Sequence, residues 1–295
     1  MYDSTEVKYM IRIGLTGFTD HPILASATTK ASAKLFDYSG HFPIVEIDSS
    51  FYAIPKLATI EKWVAETPSN FRFIVKAHQA MTGHQRREDW TFSSIEEIYQ
   101  TFEDCLMPMH QAGKLYAVLV QFPPWYDAMP KNMAYIRKMN QRLTHFQLAV
   151  EFRNQTWFDP QHREATLNFL REEKIINVIC DEPQAGVGSI PFVPEATTDR
   201  VMFRFHGRNL HGWRNVGNAE HWRKVRFLYN YNDDELTTFM HVIKEFEAQG
   251  KDVVVTFNNN SAHDAAPNAK RLQHLLNISY EGLAPRQLDI FGGEW

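Results

Sequence analysis

The chain has 295 residues, with 31 basic and 35 acidic side chains and a formal net charge of −4. This balance gives no global basic signature for nucleic-acid binding. No stretch approaches the roughly 20 apolar residues that cross a bilayer, and the N-terminus lacks the basic start and apolar core of a signal peptide. We therefore expect a cytoplasmic protein with no membrane association, whose two cysteines are free thiols.

Eight short apolar runs alternate with helix-length stretches, except that a loop over Glu182–Asp199 replaces the sixth helix. This alternation predicts parallel strands joined by right-handed crossovers, which close into a (β/α)8 barrel of TIM type. We expect one domain over residues 1–280 and a flexible tail over 281–295. The predicted strands are Ile11–Leu15, Pro43–Asp48, Phe71–Lys76, Leu115–Gln121, Gln147–Glu151, Ile175–Asp181, Arg200–His206 and Asp252–Asn258. The predicted helices cover about 28–39, 57–66, 93–112, 128–144, 161–173, 217–249 and 264–277.

The strands end in polar side chains, and in a barrel all of these ends lie on one face, here called the mouth. Residues two apart on a strand point the same way, so the apolar set of each strand should face the helices and the polar set the interior. In strand six this reasoning predicts that Ile179 and Asp181 point inward, opposite Val178 and Cys180. The predicted inward set is Glu46, Asp48, Lys76, Gln121, Glu151, Arg153, Asp181, Arg204, His206 and Asn258.

This cluster is open to several interpretations. Burying so many charges is costly unless they pair, hold a metal or bind a charged ligand. One interpretation is a salt-bridge network that closes the barrel. A second is a Mg²⁺, Mn²⁺ or Zn²⁺ site, since oxygen and nitrogen donors come from four strands. The candidate metal ligands are Glu46, Glu151, Asp181 and His206.

Two further interpretations involve a substrate directly. Lys76, Arg153 and Arg204 suit a phosphate or carboxylate, and three cations among these acids favour a small anionic ligand. Alternatively, Glu151 and Asp181, together with His206, suit acid–base chemistry on a sugar. The candidate catalytic residues are Glu46, Lys76, Glu151, Asp181 and His206.

Aromatic residues follow several strands and offer faces on which a base or sugar ring can stack. Taken singly, each of them favours packing over the seams between helices and barrel, whereas as a group around one face they suggest a stacking pocket. The candidate substrate-binding residues are Phe18, Asp48, Tyr52, Gln121, Arg153, Trp157, Arg204, Asn258 and Asn259.

The chain resembles the YecE-like family, a group of barrels classed as a domain of unknown function. The resemblance is carried by Gly14–Phe18, Val45–Tyr52 with Pro55, Phe73–Ala77, Gln121–Pro124, Glu151–Arg153 with Trp157-Phe158, Asp181, Arg204–Gly207 and Phe257–Asn259. It implies a (β/α)8 barrel with a polar pocket and no established reaction. The family usually has Trp where Phe18 stands. It also usually has adjacent Thr and His after strand three, whereas Gly83 separates Thr82 from His84 here, which leaves the role of His84 open.

The C-terminal tail contains a second motif. Gln287-Leu-Asp-Ile-Phe291 resembles the pentapeptide by which bacterial DNA polymerases and repair proteins bind the sliding clamp. Leu288, Ile290 and Phe291 would fill apolar pockets of a groove, and Gln287 would hydrogen-bond at its entrance. The alternative is an amphipathic tail that packs onto its own barrel.

Mouth and tail together suggest an enzyme, with or without a metal, that acts on a phosphorylated or nucleic-acid substrate and is recruited by the clamp. The acidic net charge argues against this hypothesis. The first alternative is a hydrolase or isomerase acting on a sugar or sugar acid. The second is a non-catalytic module that binds an anion or nucleotide.

Overall fold

The computed structural model describes residues 10–24, 34–213, 222 and 225–286. Eight parallel strands form a closed barrel in which each strand pairs with the next and the last pairs with the first. The predicted barrel is therefore confirmed. The strands are β1 Ile11–Thr16, β2 Ile44–Ile47, β3 Arg72–Lys76, β4 Leu115–Gln121, β5 Leu148–Glu151, β6 Ile176–Asp181, β7 Arg200–Phe205 and β8 Asp252–Phe257.

Helices cover the outside of the barrel. As predicted, residues 182–199 between β6 and β7 form no helix. Within the helix expected over 217–249, Trp222 and Val225 are helical, residues 226–232 are turn and irregular backbone, and a long helix begins at Asp233. Residues 214–221 and 223–224 lie outside the described part of the chain. The helices are α1 Lys34–Ser39, α2 Leu57–Glu66, α3 Ile95–Gln111, α4 Pro130–Arg142, α5 Arg163–Glu172, α6 Leu210–Trp213, α7 Asp233–Ala248 and α8 Ala265–Leu275.

Local sequence explains where two of these helices begin. The Ser94 side chain accepts a hydrogen bond from the backbone N–H of Glu97 and so caps α3. Asn232 and Glu235 form a reciprocal capping box at the start of α7. This second cap fixes the end of the long connection from β7, which carries residues that matter at the mouth.

The register of the strands determines which side chains point inward. Glu46 pairs with Ile74, Gln121 with Glu151, and Arg204 with Thr256, so these residues share the interior face. The predicted orientation of β2, β3, β4, β5, β7 and β8 is confirmed by this register. Below the charged residues, the interior is filled by apolar side chains, among them Ile74, Leu119, Val178, Met202 and Val254.

Strand β6 has the opposite orientation to the one predicted. Cys180 pairs with the inward Arg204, and Asp181 pairs with the outward Phe205. Asp181 therefore leaves the barrel interior, and the prediction that it points into the mouth is wrong. Asn177 shares the outward face with Ile179 and Asp181, and its Nδ2 donates to the carbonyl of Glu195 at 3.1 Å in the loop that replaces the sixth helix. The polar set of β6 therefore faces outward, unlike that of the other strands.

On the outer side Asp181 anchors the loop after β7. Its carboxylate accepts hydrogen bonds from Arg208 Nη2 at 2.8 Å and from the Tyr231 hydroxyl at 2.7 Å. The same hydroxyl accepts from the backbone N–H of Gly207 at 2.8 Å. Gly207 has φ of +82°, and a Cβ there would lie 2.4 Å from Cβ of Tyr229, so this approach needs glycine. Asp181 thus holds a loop in position beside the mouth.

The described residues after α8 lie against the barrel. Asn70 Nδ2 donates to the carbonyl of Glu281 at 3.1 Å, and the N–H of Ala284 donates to the carbonyl of Ser39 at 3.1 Å. Residues 287–295, which include the clamp-like motif, lie outside the described residues. Across the described part of the chain, no helix has the length and apolar character that crossing a bilayer requires.

Candidate functional site

A buried chain of alternating charges closes the interior at the mouth. Arg204 donates through Nε to Oε2 of Glu46 at 2.8 Å, through Nη2 to the other oxygen of Glu46, and through Nη1 to Glu151. Thr256 Oγ1 also donates to Glu46 at 3.1 Å. These side chains are almost fully buried. The interpretation as a salt-bridge network therefore accounts for this layer.

Arg153 extends the chain of charges. Its guanidinium donates to Glu151, to Glu182 and, through Nη2, to Nε2 of His206 at 2.9 Å. Glu182, which follows β6, also accepts the backbone N–H of Ile190 at 2.8 Å. The order is Glu46, Arg204, Glu151, Arg153, Glu182, so both arginines are fully engaged by acids.

Glu151 and Glu182 titrate differently because they have different partners. Burial alone would raise the pKa of Glu151, but Arg153 and Arg204 outweigh it and hold that pKa well below its usual range. Burial raises the pKa of Glu182 to about 7, because it has only Arg153, which it shares with Glu151. Within this chain of charges, Glu182 is therefore the acid that can exchange a proton near neutral pH.

His206 is held in its neutral form. Burial, reinforced by Arg153, lowers its pKa well below the usual value. Because an arginine can only donate, Nε2 of His206 is the acceptor and its proton resides on Nδ1. Nδ2 of Asn258 lies 3.0 Å from Nδ1, and rotating this amide by 180° presents its oxygen as the acceptor for the Nδ1 proton.

Lys76 stands apart from the charge chain. Its Nζ lies 4.4 Å from the centroid of the Phe51 ring, and within the described residues it forms no ion pair or hydrogen bond. Burial, aided by Arg204, lowers its pKa to about 8. Asp48 interacts with Lys76 electrostatically but forms no ion pair with it. Burial, together with the nearby Glu46, raises the pKa of Asp48. Lys76 is thus a half-buried cation without an acidic partner.

Arg226 is a second such cation. Its guanidinium carbon lies 4.3 Å from the Trp213 ring centroid and 4.6 Å from that of Trp222. Its Nε is buried without a hydrogen-bond partner, and no ion pair forms to it within the described chain. Burial and the nearby Arg153 lower its pKa to about 9. Arg153 also stacks on Trp213, at 5.2 Å, so Arg226 lies next to the charge chain.

His84, whose role the sequence left open, faces the same region. Burial lowers its pKa to about 4, with further contributions from Lys76, Arg153 and Arg226. Its Nδ1 lies 2.8 Å from the Thr82 hydroxyl, and its ring meets Phe51 edge-on at 4.9 Å. The insertion of Gly83, which has φ of +74°, therefore does not remove His84 from the mouth.

Three residues predicted for the site lie elsewhere. Asp181 faces the helices, as described above. Trp157 is 0% exposed and stacks on Phe152 with ring centroids 4.0 Å apart, so it is a core residue. Asn259 is buried on the opposite face from Asn258 and donates to Asn268 at 2.7 Å and to the carbonyl of Tyr229. These contacts place all three side chains outside the mouth.

The other predicted side chains remain at the mouth or its rim. Asp48, Gln121 and Asn258 are half-buried at the ends of inward-facing sets. Phe18 packs edge-on against Trp63 of α2 at 5.8 Å, on the helix side of the rim. Tyr52 is 67% exposed.

The predicted metal site does not form as proposed, because Asp181 is absent from it. Glu151, Cys180 and His206 do present donor atoms that all lie within 4.8 Å of one another. However, Nε2 of His206 already accepts from Arg153, and Glu151 is paired with two arginines. A divalent cation would have to displace these guanidinium groups, so the donor set suits arginine better than a metal.

Sequence reasoning missed Cys180, Glu182 and Arg226. Counting by twos from Cys180 leads to Glu182, so the correct orientation of β6 would have identified both. Arg226 lies about 20 residues beyond β7 in a connection without periodicity, and no spacing rule could place it.

A family model and individual relatives both show which proteins this chain is similar to. The family described as "Protein of unknown function DUF72" matches residues 12–289. UPF0759 protein YunF of Bacillus subtilis is 50% identical over 283 residues, 96% of this chain and 100% of that protein. UPF0759 protein YecE of Escherichia coli K12 is 26% identical over 179 residues, 58% of this chain and 59% of that protein.

A solved structure agrees with this result. The crystal structure of a DUF72 family protein from Enterococcus faecalis matches with a TM-score of 0.87 and 38% identity, over 95% of this chain and 100% of that one. The resemblance to the YecE-like family is confirmed. The chain belongs to the DUF72 family of proteins of unknown function.

Proposed function

We propose that the mouth binds a small anionic ligand carrying a phosphate or carboxylate group, held by Lys76 and Arg226. The observation that carries this proposal is the division of the cations into two classes. Arg153 and Arg204 are engaged by Glu46, Glu151 and Glu182. Lys76 and Arg226 have aromatic neighbours and no acidic partner within the described residues.

The energetic argument concerns the cost of burial. A cation removed from water loses hydration, and an uncompensated one lowers the free energy of unfolding. The lowered pKa values of Lys76 and Arg226 express this cost in the free protein. An anion that contacts both would restore the missing counter-charge, and a guanidinium suits a phosphate or carboxylate through two parallel hydrogen bonds.

Titration calorimetry with inorganic phosphate as the probe tests this proposal. We expect saturable binding by the wild type and at least an about tenfold weaker affinity for Lys76→Met and for Arg226→Met. Lys138→Met, which removes an exposed cation from α4, is the control and should bind like wild type. Equal affinity in all four proteins would refute the proposal.

A catalytic version adds proton transfer to the same pocket. The amine of Lys76, with a pKa of about 8, and the carboxyl of Glu182, with a pKa of about 7, both change charge near neutral pH. The paired state of Glu46 and Glu151 makes them weaker candidates, which favours a phosphorylated substrate over two-carboxylate sugar hydrolysis. Phosphate release from p-nitrophenyl phosphate, lost in Lys76→Met, would support this version, and no release by wild type would argue against phosphomonoester hydrolysis.

We also propose that the tail recruits the protein to a bacterial sliding clamp, which would place the pocket near nucleic acid. This proposal is supported by the sequence Gln287–Phe291. Leu288, Ile290 and Phe291 supply the apolar anchors, and Asp289 can remain solvated between them.

A further inference from the structure

An arc of aromatic rings borders Lys76 at the rim of the mouth. The Phe51 ring, which carries the Lys76 ammonium on its face, contacts Tyr52 at 5.1 Å and His84 at 4.9 Å between centroids. His84 in turn contacts Trp125 at 6.0 Å. We call Phe51, Tyr52, His84 and Trp125 the aromatic arc. It places a continuous ring surface beside a cation that lacks an acidic partner.

The two ends of the arc are unusually exposed. Trp125 and Tyr52 each expose 67% of their surface, whereas the other aromatic residues after the strands are half-buried, as Phe18 is, or buried, as Trp157 is. Tyr126, the neighbour of Trp125, stacks on Phe122 at 4.1 Å and is half-buried. Exposing a large apolar side chain to water is unfavourable, and a ligand that covers it would gain free energy of binding.

We propose that the ligand of the mouth carries a ring next to its anionic group, and that this ring stacks on Trp125 while the anionic group reaches Lys76. The proposal rests on the anion-binding function proposed above and narrows it to ring-bearing anions. Nucleoside phosphates and sugar phosphates share this chemistry, because a planar base and the apolar face of a sugar both pack on an indole. A free inorganic anion would leave the arc uncovered.

The test compares three probes by titration calorimetry: inorganic phosphate, a purine nucleoside monophosphate and a hexose phosphate. We expect wild type to bind at least one ring-bearing probe about tenfold more tightly than inorganic phosphate. In Trp125→Ala this preference should disappear, so that the ring-bearing probe binds only as tightly as inorganic phosphate. The affinity for inorganic phosphate itself should stay unchanged. Whichever ring-bearing probe shows the preference identifies the source of the ring.

Two variants keep the outcomes separable. Met129→Ala removes another exposed apolar side chain, half of whose surface is accessible, and should retain the preference. If Trp125→Ala keeps the preference, or if wild type binds all three probes equally, the stacking inference is overturned although anion binding stands. If wild type binds none of the probes, the proposed function and the inference both fail.

Discussion

Arg204 on β7 forms a bidentate ion pair with Glu46 on β2 across the barrel interior, donating through Nε and Nη2 to both carboxylate oxygens. Strands β1 and β8 lie between these two strands, so this bidentate pair joins opposite parts of the sheet. Glu151 on β5 accepts the remaining Nη1 of the same guanidinium. One side chain therefore ties three strands together beneath the ligand site.

We first predict that Arg204→Met lowers the free energy of unfolding by about 3–5 kcal/mol, because it leaves Glu46 and Glu151 buried without a partner. Glu46→Gln in the Arg204→Met background should recover part of this loss, since the glutamine carries no charge. Urea denaturation of the wild type and both variants measures the effect. A single variant as stable as wild type would show that the interior pair does not bear on stability.

The second prediction concerns the pH dependence of anion binding. Lys76 has a pKa of about 8 in the free protein and is charged when it binds an anion. The contribution of Lys76 to the affinity for the phosphate dianion should therefore be full well below pH 8 and decline as pH rises through that value. Lys76→Arg keeps the charge, so its decline should start at higher pH, where Arg226 with a pKa of about 9 begins to lose its proton. Superimposable profiles above pH 8 for the two proteins would contradict this assignment.

The orientation of β6 shows how far the sequence could predict the site. On β2 and β7 an apolar set alternates with a polar one, so Glu46 and Arg204 could be placed inside from their spacing alone. On β6 the set that contains Asn177 and Asp181 is the more polar one, and this polarity suggested an inward position. The structure pairs it instead with Arg208 and Tyr231 outside the barrel, which no local pattern encodes.

The aromatic residues show a second limit. Trp125 and Trp157 both follow strands and look equivalent in the sequence, yet one is exposed at the rim and the other is buried against Phe152. The difference arises from tertiary packing. Trp157 lies in a short helical turn, and its indole N–H donates to the carbonyl of Tyr126 at 2.7 Å. Burial of this kind is decided by contacts between distant segments.

A third prediction tests the state of His84. In the folded protein its pKa is about 4, so it stays neutral while the unfolded chain takes up a proton below about pH 6.5. The stability that this neutral ring contributes is present above pH 6.5 and is lost as pH falls towards 4. His84→Gln should remove about 1–3 kcal/mol of the change in unfolding free energy between these pH values. Equal pH slopes for variant and wild type would contradict the buried neutral state.

The fourth prediction is binding of the tail to a bacterial sliding clamp. A labelled peptide spanning Leu283–Trp295 should bind purified clamp with an affinity near the micromolar range, since ordering the peptide offsets much of the gain from burying three anchors. A peptide carrying Leu288→Ala and Phe291→Ala is the matched control and should not bind. Equal affinities for the two peptides, or binding by neither, would rule out this partner.

The central claim is that Lys76 and Arg226 together form an anion site at the mouth. The most direct measurement is anomalous diffraction from crystals soaked in tungstate, a heavy tetrahedral anion that mimics phosphate. The account predicts a tungsten peak in contact with Nζ of Lys76 and the guanidinium of Arg226, absent in Lys76→Met crystals. A mouth without a peak, with tungstate bound only to cations elsewhere such as Lys251, would contradict it.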